Sequence, residues 1–334
     1  MGGDAIAFQV AIVGLNKVGG SIGLALAAYP DMLICVGYDE DPQLARAAAK
    51  QGAITKSYLT LHRCVQESKV IFLACPIDDL KENLQLIAAH APKGAVVIDT
   101  SSNKTRVAGW AQEILPDSMH FMGWTLALNP GHLHDPELGL DVARADLFAD
   151  SLIGINDPPG TPEAVLTLNV DLVSLLDAKP YLVDSVEADG LIAMGHQLPR
   201  LAALALLLAT VDSPGWAEAR KLAGPDFAQA TLPILNVGDR DDLGLGLRLN
   251  KDNLIRLVDD LSAALGRIRE HLDMEDADAL KKDIAHAIDQ RLLWLEQRNL
   301  GSWTAPENSH QIGRVRPSLL GNWLDERLRK GKDT

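Results

Sequence analysis

The sequence has few aromatic residues, few cysteines and no excess of positive charge, and each shortage excludes a class of protein. Aromatic residues make up 4% of the 334 positions, and three residues are cysteine. No C-x-x-C pair occurs, which argues against zinc-binding and thiol-redox motifs. The formal net charge is −14, whereas a nucleic-acid binder normally carries a basic face. We therefore expect a globular protein of a reducing compartment that does not bind nucleic acid.

Long apolar runs are also missing. The run Leu201–Val211 is well short of the ~20 residues that span a bilayer, so it predicts a buried helix and no membrane partner. The segment Met1–Val10 lacks the basic stretch and long apolar stretch of a signal peptide. The sequence therefore predicts a cytoplasmic protein.

The chain divides by pattern into two regions, as its length favours. In the first region, short apolar runs alternate with helical patterns; the runs are Phe8–Val13, Leu33–Tyr38, Val70–Ala74, Ala95–Ile98 and His120–Gly123. This alternation predicts an α/β, Rossmann-type, doubly wound parallel sheet over residues 1–158. The segment Asn156–Pro162 holds three prolines and a glycine and is the predicted linker. The region 159–334 is predicted to be an all-helical domain for substrate binding and dimerisation.

A nucleotide-binding pattern with one departure lies between the first predicted strand and helix. A dinucleotide site uses G-x-G-x-x-G, in which the second glycine lets the backbone approach the pyrophosphate. Gly14 and Gly19 occupy the first and third places, and Asn16 occupies the second. Asparagine accepts positive φ, so the turn can form, but its side chain would stand where the pyrophosphate approaches. The segment predicts either a dinucleotide site or a Rossmann domain that no longer binds one.

An acidic residue ends the second predicted strand. At this place a carboxylate hydrogen-bonds the ribose 2′-hydroxyl and disfavours a 2′-phosphate, so Asp39 predicts NAD in preference to NADP. Aspartate after a strand is also a common turn residue, and that alternative stays open.

Five segments in chain order carry recognisable patterns: Gly14–Ser21, Leu73–Asp78, Asp99–Lys104, Ala143–Phe148 and His196–Pro199. Together they resemble the prephenate/arogenate dehydrogenase family of tyrosine biosynthesis. In the same order, they resemble its G-L-G-x-x-G-G-S, L-A-x-P-x-D, D-x-x-S-x-K, the stretch before its last sheet strand, and S-H-L-P. No single motif is decisive, and their shared order carries the resemblance.

The resemblance implies NAD(P)-dependent hydride transfer with decarboxylation of a small carboxylate substrate, and a homodimer through the helical domain. It adds Leu15, Val18, Cys75 and Pro76 to the predicted cofactor contacts. Two further residues at the carboxyl end of the fourth predicted strand are candidate catalytic groups. Ser102 would hydrogen-bond the nicotinamide or the substrate, and Lys104 would supply a positive charge. The alternatives are that Ser102 caps the next helix and that Lys104 is a solvated loop residue.

Three positions depart from what the family uses. Its catalytic histidine is matched by Thr125, its second histidine by Gln197, and its carboxylate-binding arginine by Leu232. Threonine cannot accept a proton near neutral pH, whereas histidine with a pKa of ~6.5 can. His196, one residue before Gln197, is either a shifted acid/base group or a core histidine, which we favour.

Three functions therefore remain: a dehydrogenase of this family, a dehydrogenase of another small acid, and a catalytically inactive binding or regulatory protein. Two loop histidines, His132 and His134, could replace the missing histidine or bind a metal. No ligand set of fixed spacing accompanies them beyond Asp135, so we predict a polar loop and no metal site.

Overall fold

A computed structural model of the chain describes residues 7–135, 139–235 and 240–301. The described residues fall into two compact units. The first holds those of 1–189 and 238–246, and the second holds those of 190–237 and 247–308. Residues 302–334 of the predicted helical domain lie outside the described residues.

The first unit is built on one sheet with the strand order β3-β2-β1-β4-β5-β6-β7-β8. The pairs are parallel except for β6 with β7, which is antiparallel. The strands are β1 (Phe8–Val13), β2 (Leu33–Tyr38), β3 (Lys56–Ser57), β4 (Val70–Leu73), β5 (Val96–Asp99), β6 (His120–Leu126), β7 (Leu152–Asn156) and β8 (Lys179–Leu182). Its helices are α1 (Lys17–Leu26), α2 (Pro42–Gln51), α3 (Leu61–Val65), α4 (Ile77–His90), α5 (Lys104–Ile114) and α6 (Glu163–Leu175).

The predicted Rossmann-type fold is confirmed. All residues of β4 and β5 are buried, as expected for apolar strands covered by helices on both faces. From β1 the chain moves to one side of the sheet through β2, and from β4 it moves to the other side through β5. The carboxyl ends of β1 and β4 therefore form the topological switch point, where open α/β sheets bind ligands.

The sheet extends beyond the stretch that carried strand patterns. The segment 157–162 connects β7 to α6 within the first unit, and β8 adds an edge strand in a region expected to be helical. β8 has four residues, one of them proline, and is too short to show the alternation of a strand, so it was not predicted from the sequence. The domain boundary at residue 158 stays a prediction.

The second unit is helical. Among the described residues, the α-helices that follow the sheet are α7 (Ser185–Ile192), α8 (Leu198–Val211), α9 (Trp216–Ala219), α10 (Pro225–Thr231), α11 (Arg240–Leu249), α12 (Lys251–Asp273) and α13 (Ala277–Leu300). The division between the two units falls within α7 and within α11. A π-helical segment, Ala193–Gln197, joins α7 to α8. Pro199 is the second residue of α8, directly after the π-helical segment.

The expectation that Leu201–Val211 is buried is wrong. Within α8 the buried residue is Ala203, whereas Leu206, Leu208 and Val211 are exposed. Among the described residues, Ser185–Val211 is long and apolar enough to cross a membrane by length and composition, a weak test that core helices also pass. An apolar run predicts only that a helix has a large apolar surface, and in this chain much of the apolar surface of α8 is exposed.

Candidate functional site

The glycine turn after β1 has the geometry that the first and third glycines require. Gly14 has φ +88°, and a Cβ there would lie 2.5 Å from the Ala74 carbonyl oxygen at the end of β4. A Cβ at Gly19 would collide with the Gly14 carbonyl oxygen. Side chains at these two positions would push α1 away from the sheet, so both need glycine. Their contact with a cofactor stays a prediction.

The conformation and hydrogen bonds of Asn16 differ from those predicted. Its φ is −73°, so the positive φ argued for this residue is wrong. It is the N-cap of α1, and its Oδ1 accepts from the backbone amides of Val18 at 2.9 Å and Gly19 at 3.2 Å. Its Nδ2 donates to the Ala74 carbonyl at 2.8 Å, which ties the turn to β4 across the switch point. The amides that a phosphate would use at this helix N-terminus are bonded to Asn16.

Asp39 braces the same turn. One carboxylate oxygen accepts from the Leu15 amide at 2.7 Å, and the other accepts from the Asp41 amide at 3.0 Å. The turn role is therefore present in the structure. An ionised carboxylate offers about four lone-pair sites, so these two bonds leave capacity for a ribose hydroxyl. The ribose contact stays a prediction.

Cys75 and Pro76 follow β4 on the other side of the switch point. The thiol of Cys75 accepts from Asn83 Nδ2 at 3.2 Å, and burial raises its pKa to about 12. Cys75 is therefore a neutral thiol at physiological pH. Pro76 is exposed and precedes α4.

Lys104 is neither a solvated loop residue nor a charge free to meet a substrate. Its Nζ lies 2.8 Å from Asp99 Oδ2 and 3.0 Å from the Asp99 carbonyl oxygen, and it is 1% exposed. Burial lowers the pKa of Lys104, while Asp99 acts in the opposite direction. The ammonium is therefore committed to an ion pair inside the protein.

Ser102 does not cap α5. The N-cap is Asn103, and the first amides of the helix, those of Lys104 and Thr105, donate to the Asp189 carboxylate at 2.6 and 3.0 Å. Ser102 is exposed at the carboxyl edge of the sheet, so its hydroxyl is accessible. Asp189 was missed because it stands 85 residues along the chain from Lys104 and no local pattern marks it.

Thr125 lies in the ladder between β6 and β7. Its Oγ1 donates to Asn156 Oδ1 at 3.0 Å. The preceding residue, Trp124, points to the opposite face, where it is fully buried and its Nε1 donates to Asn169 Oδ1 at 2.9 Å. Thr125 is half-buried and keeps part of its surface accessible.

In the second unit, Gln197 is buried, whereas His196 keeps exposed surface although the surrounding protein desolvates its ring and lowers its pKa. The preference for a core histidine stays a prediction. Gln197 Oε1 accepts from Asn250 Nδ2 at 2.8 Å, and Asn250 Oδ1 accepts from Asn253. Both His196 and Gln197 belong to the π-helical segment, which changes the side-chain register of an α-helix. Leu232 begins a short 3₁₀ turn and is half-buried.

The loop after β6 places two carboxylates near His132. His132 lies between two carboxylates, with Nδ1 3.2 Å from Asp135 and Nε2 3.2 Å from Asp146, whereas His134 is exposed. These contacts engage opposite sides of one ring and so do not converge on one point. In the part of the chain that the structure describes, no group of three metal-ligating side chains could hold an ion.

Comparisons with known proteins identify the first unit. Residues 22–179 match the family of the prephenate dehydrogenase nucleotide-binding domain. Residues 22–179 therefore belong to the prephenate dehydrogenase nucleotide-binding domain family. It is also 23% identical over 287 residues to a prephenate dehydrogenase of Bacillus subtilis, covering 84% of this chain and 75% of that one.

Solved structures share the fold at lower identity. One is prephenate dehydrogenase from Aquifex aeolicus in complex with hydroxyphenyl propionate and NAD⁺, with a TM-score of 0.73 and 18% identity over 85% of this chain and 97% of that one. Another is Synechocystis arogenate dehydrogenase, with a TM-score of 0.67 and 20% identity over 86% of this chain and all of that one.

This carboxyl edge carries groups that form hydrogen bonds. Thr125 offers a hydroxyl, and Lys104 is paired with Asp99. Ser102 remains exposed, and the glycine turn keeps its shape. The edge can hold a ligand by hydrogen bonds, but the residues described at it supply no strong base.

Proposed function

We propose that this chain is an oxidoreductase of the prephenate dehydrogenase type that binds a nicotinamide dinucleotide at the switch point, NAD in preference to NADP. The glycine turn carries the proposal. Gly14 has the required left-handed conformation, and Asp39 braces the turn while keeping carboxylate capacity for a ribose. A 2′-phosphate beside Asp39 would meet like charge, which favours NAD.

The chain offers contacts for such a cofactor on both sides of the switch point: Gly14, Leu15, Val18, Gly19, Asp39, Cys75 and Pro76. A bound nicotinamide accepts a hydride. Ser102, with an exposed hydroxyl, would donate a hydrogen bond to the nicotinamide or the substrate. By analogy with the relatives, the substrate is a small carboxylate such as prephenate or arogenate. Because Thr125 cannot take the substrate proton, turnover should be about 10²–10⁴-fold below that of an enzyme with a positioned base.

The test is a calorimetric titration of the full chain with NAD and with NADP, followed by assays with prephenate and arogenate. Saturable binding of NAD, tighter than NADP, supports the proposal. Binding of neither would refute it. Cofactor binding without turnover of either acid would point to a dehydrogenase of another small acid.

The variant Asn16→Gly examines the turn directly. It releases the Val18 and Gly19 amides for the pyrophosphate, and a hydrogen bond to a charged group typically contributes about 1.5–3 kcal/mol. We therefore expect about tenfold or tighter NAD binding. Asn129→Gly is the matched control, since Asn129 is likewise an N-cap, bonded to the Gly131 amide, away from the turn. Equal or weaker binding in Asn16→Gly would mean that Asn16 does not obstruct the cofactor.

A second candidate is a catalytically inactive binding protein on the same scaffold. The specific observation in its favour is that Asn16 satisfies the helix amides internally. It predicts no saturable cofactor binding in wild type and no turnover.

We also propose a homodimer through the second unit. The helices α12 and α13 expose a set of apolar side chains that a monomer would leave in water: Ile255, Val258, Leu265, Ile268, Leu272, Ile284, Ile288, Leu292, Leu293 and Trp294. Leu254 and Leu257 of α12 are buried, so the apolar surface of that helix is covered only in part. Equilibrium sedimentation should give twice the chain mass, and a monomer would contradict the proposal. The cytoplasmic location stays a prediction.

A further inference from the structure

The hydroxyl of Thr125 is held in one orientation by a buried amide. Its Oγ1 lies 3.0 Å from Asn156 Oδ1, and Asn156 is 2% exposed. On the other side of that amide, Nδ2 lies 3.0 Å from the Val183 carbonyl oxygen and 3.4 Å from that of Asp184. The side chain of Asn156 therefore connects β6 to the chain that follows β8.

The two backbone carbonyls fix which end of the amide faces Thr125. A carbonyl oxygen only accepts hydrogen bonds, so the group facing Val183 and Asp184 must be the NH₂ of Asn156. Turning the amide over would place Oδ1 against two carbonyl oxygens in a buried site, where Oδ1 would find no donor and the Val183 carbonyl would lose the Nδ2 donor. Asn156 Oδ1 is therefore the atom that faces Thr125.

Close packing holds the amide in this place. Asp99, Gly123 and Asn156 lie side by side on three neighbouring strands. A Cβ at Gly123 would lie 3.1 Å from Asn156 Oδ1 and 3.3 Å from Lys104 Cδ, so the glycine leaves room for both side chains. Lys104 itself is bonded to Asp99.

The Thr125 hydroxyl therefore donates its one proton to Asn156 Oδ1. A hydroxyl has one proton to donate and two lone pairs to accept with. Toward the accessible side, Thr125 therefore presents lone pairs only. A ligand group that donates a hydrogen bond satisfies them, whereas a carbonyl, ether or halogen does not.

We propose that Asn156 is a positioning residue that makes Thr125 a hydrogen-bond acceptor, so that the site selects ligands with a hydroxyl or an ammonium group facing residue 125. This inference rests on the proposed function, because it places the substrate at the carboxyl edge of β6. It assigns Thr125 to substrate selection by hydrogen-bond polarity, with no part in proton removal.

The test compares two ring acids of nearly equal size, 3-(4-hydroxyphenyl)propanoate and 3-(4-fluorophenyl)propanoate, by calorimetry on the full chain with NAD present. The first carries a donor where the second has none. One neutral hydrogen bond corresponds to about a two- to tenfold difference in affinity, so wild type should prefer the hydroxyl ligand by that factor. The preference should disappear in Thr125→Val and persist in Thr125→Ser.

Asn156→Ala tests the positioning role. It frees the Thr125 hydroxyl to rotate and donate outward, so the preference for the hydroxyl ligand should shrink. If Asn156 has a purely structural role, the variant should bind both ligands more weakly by the same factor, and the ratio of their affinities should not change. That result would overturn the inference. Asn156 is buried, and its loss could impair folding. The Thr125→Val and Thr125→Ser variants therefore test the acceptor role of Thr125 without changing Asn156.

Each outcome separates the two proposals. Equal binding of both ligands by wild type, or a preference that survives in Thr125→Val, refutes the role of Thr125 and leaves the proposed function standing. Binding of neither ligand in the millimolar range refutes the proposed site and this inference with it.

Discussion

Removing the ammonium group of Lys104 should destabilise the first unit strongly. In Lys104→Met the Asp99 carboxylate would remain 0% exposed without its counter-charge. Breaking a buried ion pair by removing one partner typically costs about 3–5 kcal/mol. Asp99 keeps hydrogen bonds from the Ser101 amide at 2.9 Å and hydroxyl at 3.0 Å, so we expect the lower end, about 3 kcal/mol.

The assay is urea-induced unfolding followed by far-ultraviolet circular dichroism, with Asp99→Asn and the double variant completing a thermodynamic cycle. Because the double variant buries no unpaired charge, it should be at least as stable as either single variant. Lys221→Met is the matched control, since Lys221 pairs with Glu218 at 61% and 79% exposure and its loss should change stability by less than about 1 kcal/mol. A loss below about 1 kcal/mol in Lys104→Met, or additive single effects, would refute the buried-pair reasoning.

Two further predictions follow from residues on or beneath the sheet. Thr125→His should raise turnover of prephenate or arogenate by up to about 10²-fold, which is the low end of the acceleration that a positioned base supplies. Thr125→Asn is the control and should not raise turnover. Equal rates for the two variants would show that residue 125 does not face the reacting hydroxyl. Burial raises the pKa of Cys35 and Cys64 from an ordinary 9.0 to about 12, so the unfolded chain loses these protons first. The free energy of unfolding should then fall as the pH rises above about 9, by ~1.4 kcal/mol per pH unit for each thiol, and Cys64→Ala should make the slope shallower; an unchanged slope would contradict the argument.

The sequence was sufficient for five strands of the sheet, β1, β2, β4, β5 and β6, and insufficient for most site contacts. Apolar runs that alternate with helical patterns predict the βαβ order, and the glycines at 14 and 19 predict the tight turn. Both features could be predicted because their signals lie within short stretches of sequence. The cap made by Asn16 was also a local signal, because asparagine is among the commonest N-cap residues, yet the family pattern drew attention to the missing glycine instead.

Contacts between distant residues had no such signal. Asp189 binds the start of α5 from 85 residues away, and Asn156 reaches Thr125 from the neighbouring strand. The exposed surface of His196 was not predicted, because a π-helical segment shifts the side-chain register there and hydrophobic periodicity does not distinguish that segment from an α-helix.

Three positions that were predicted to depart from the family pattern hold polar side chains with specific partners. Asn16 bonds the amides of its own helix, Thr125 bonds Asn156, and Gln197 bonds Asn250. Buried polar groups left over from an abandoned site would lack such partners and would destabilise the fold. The Asn156 acceptor has a further consequence, since a histidine at 125 would donate its N–H to Oδ1 and leave its other nitrogen free to accept a proton. Asn156 would thereby set the tautomer that a general base requires, which is the physical reason to expect Thr125→His to restore turnover.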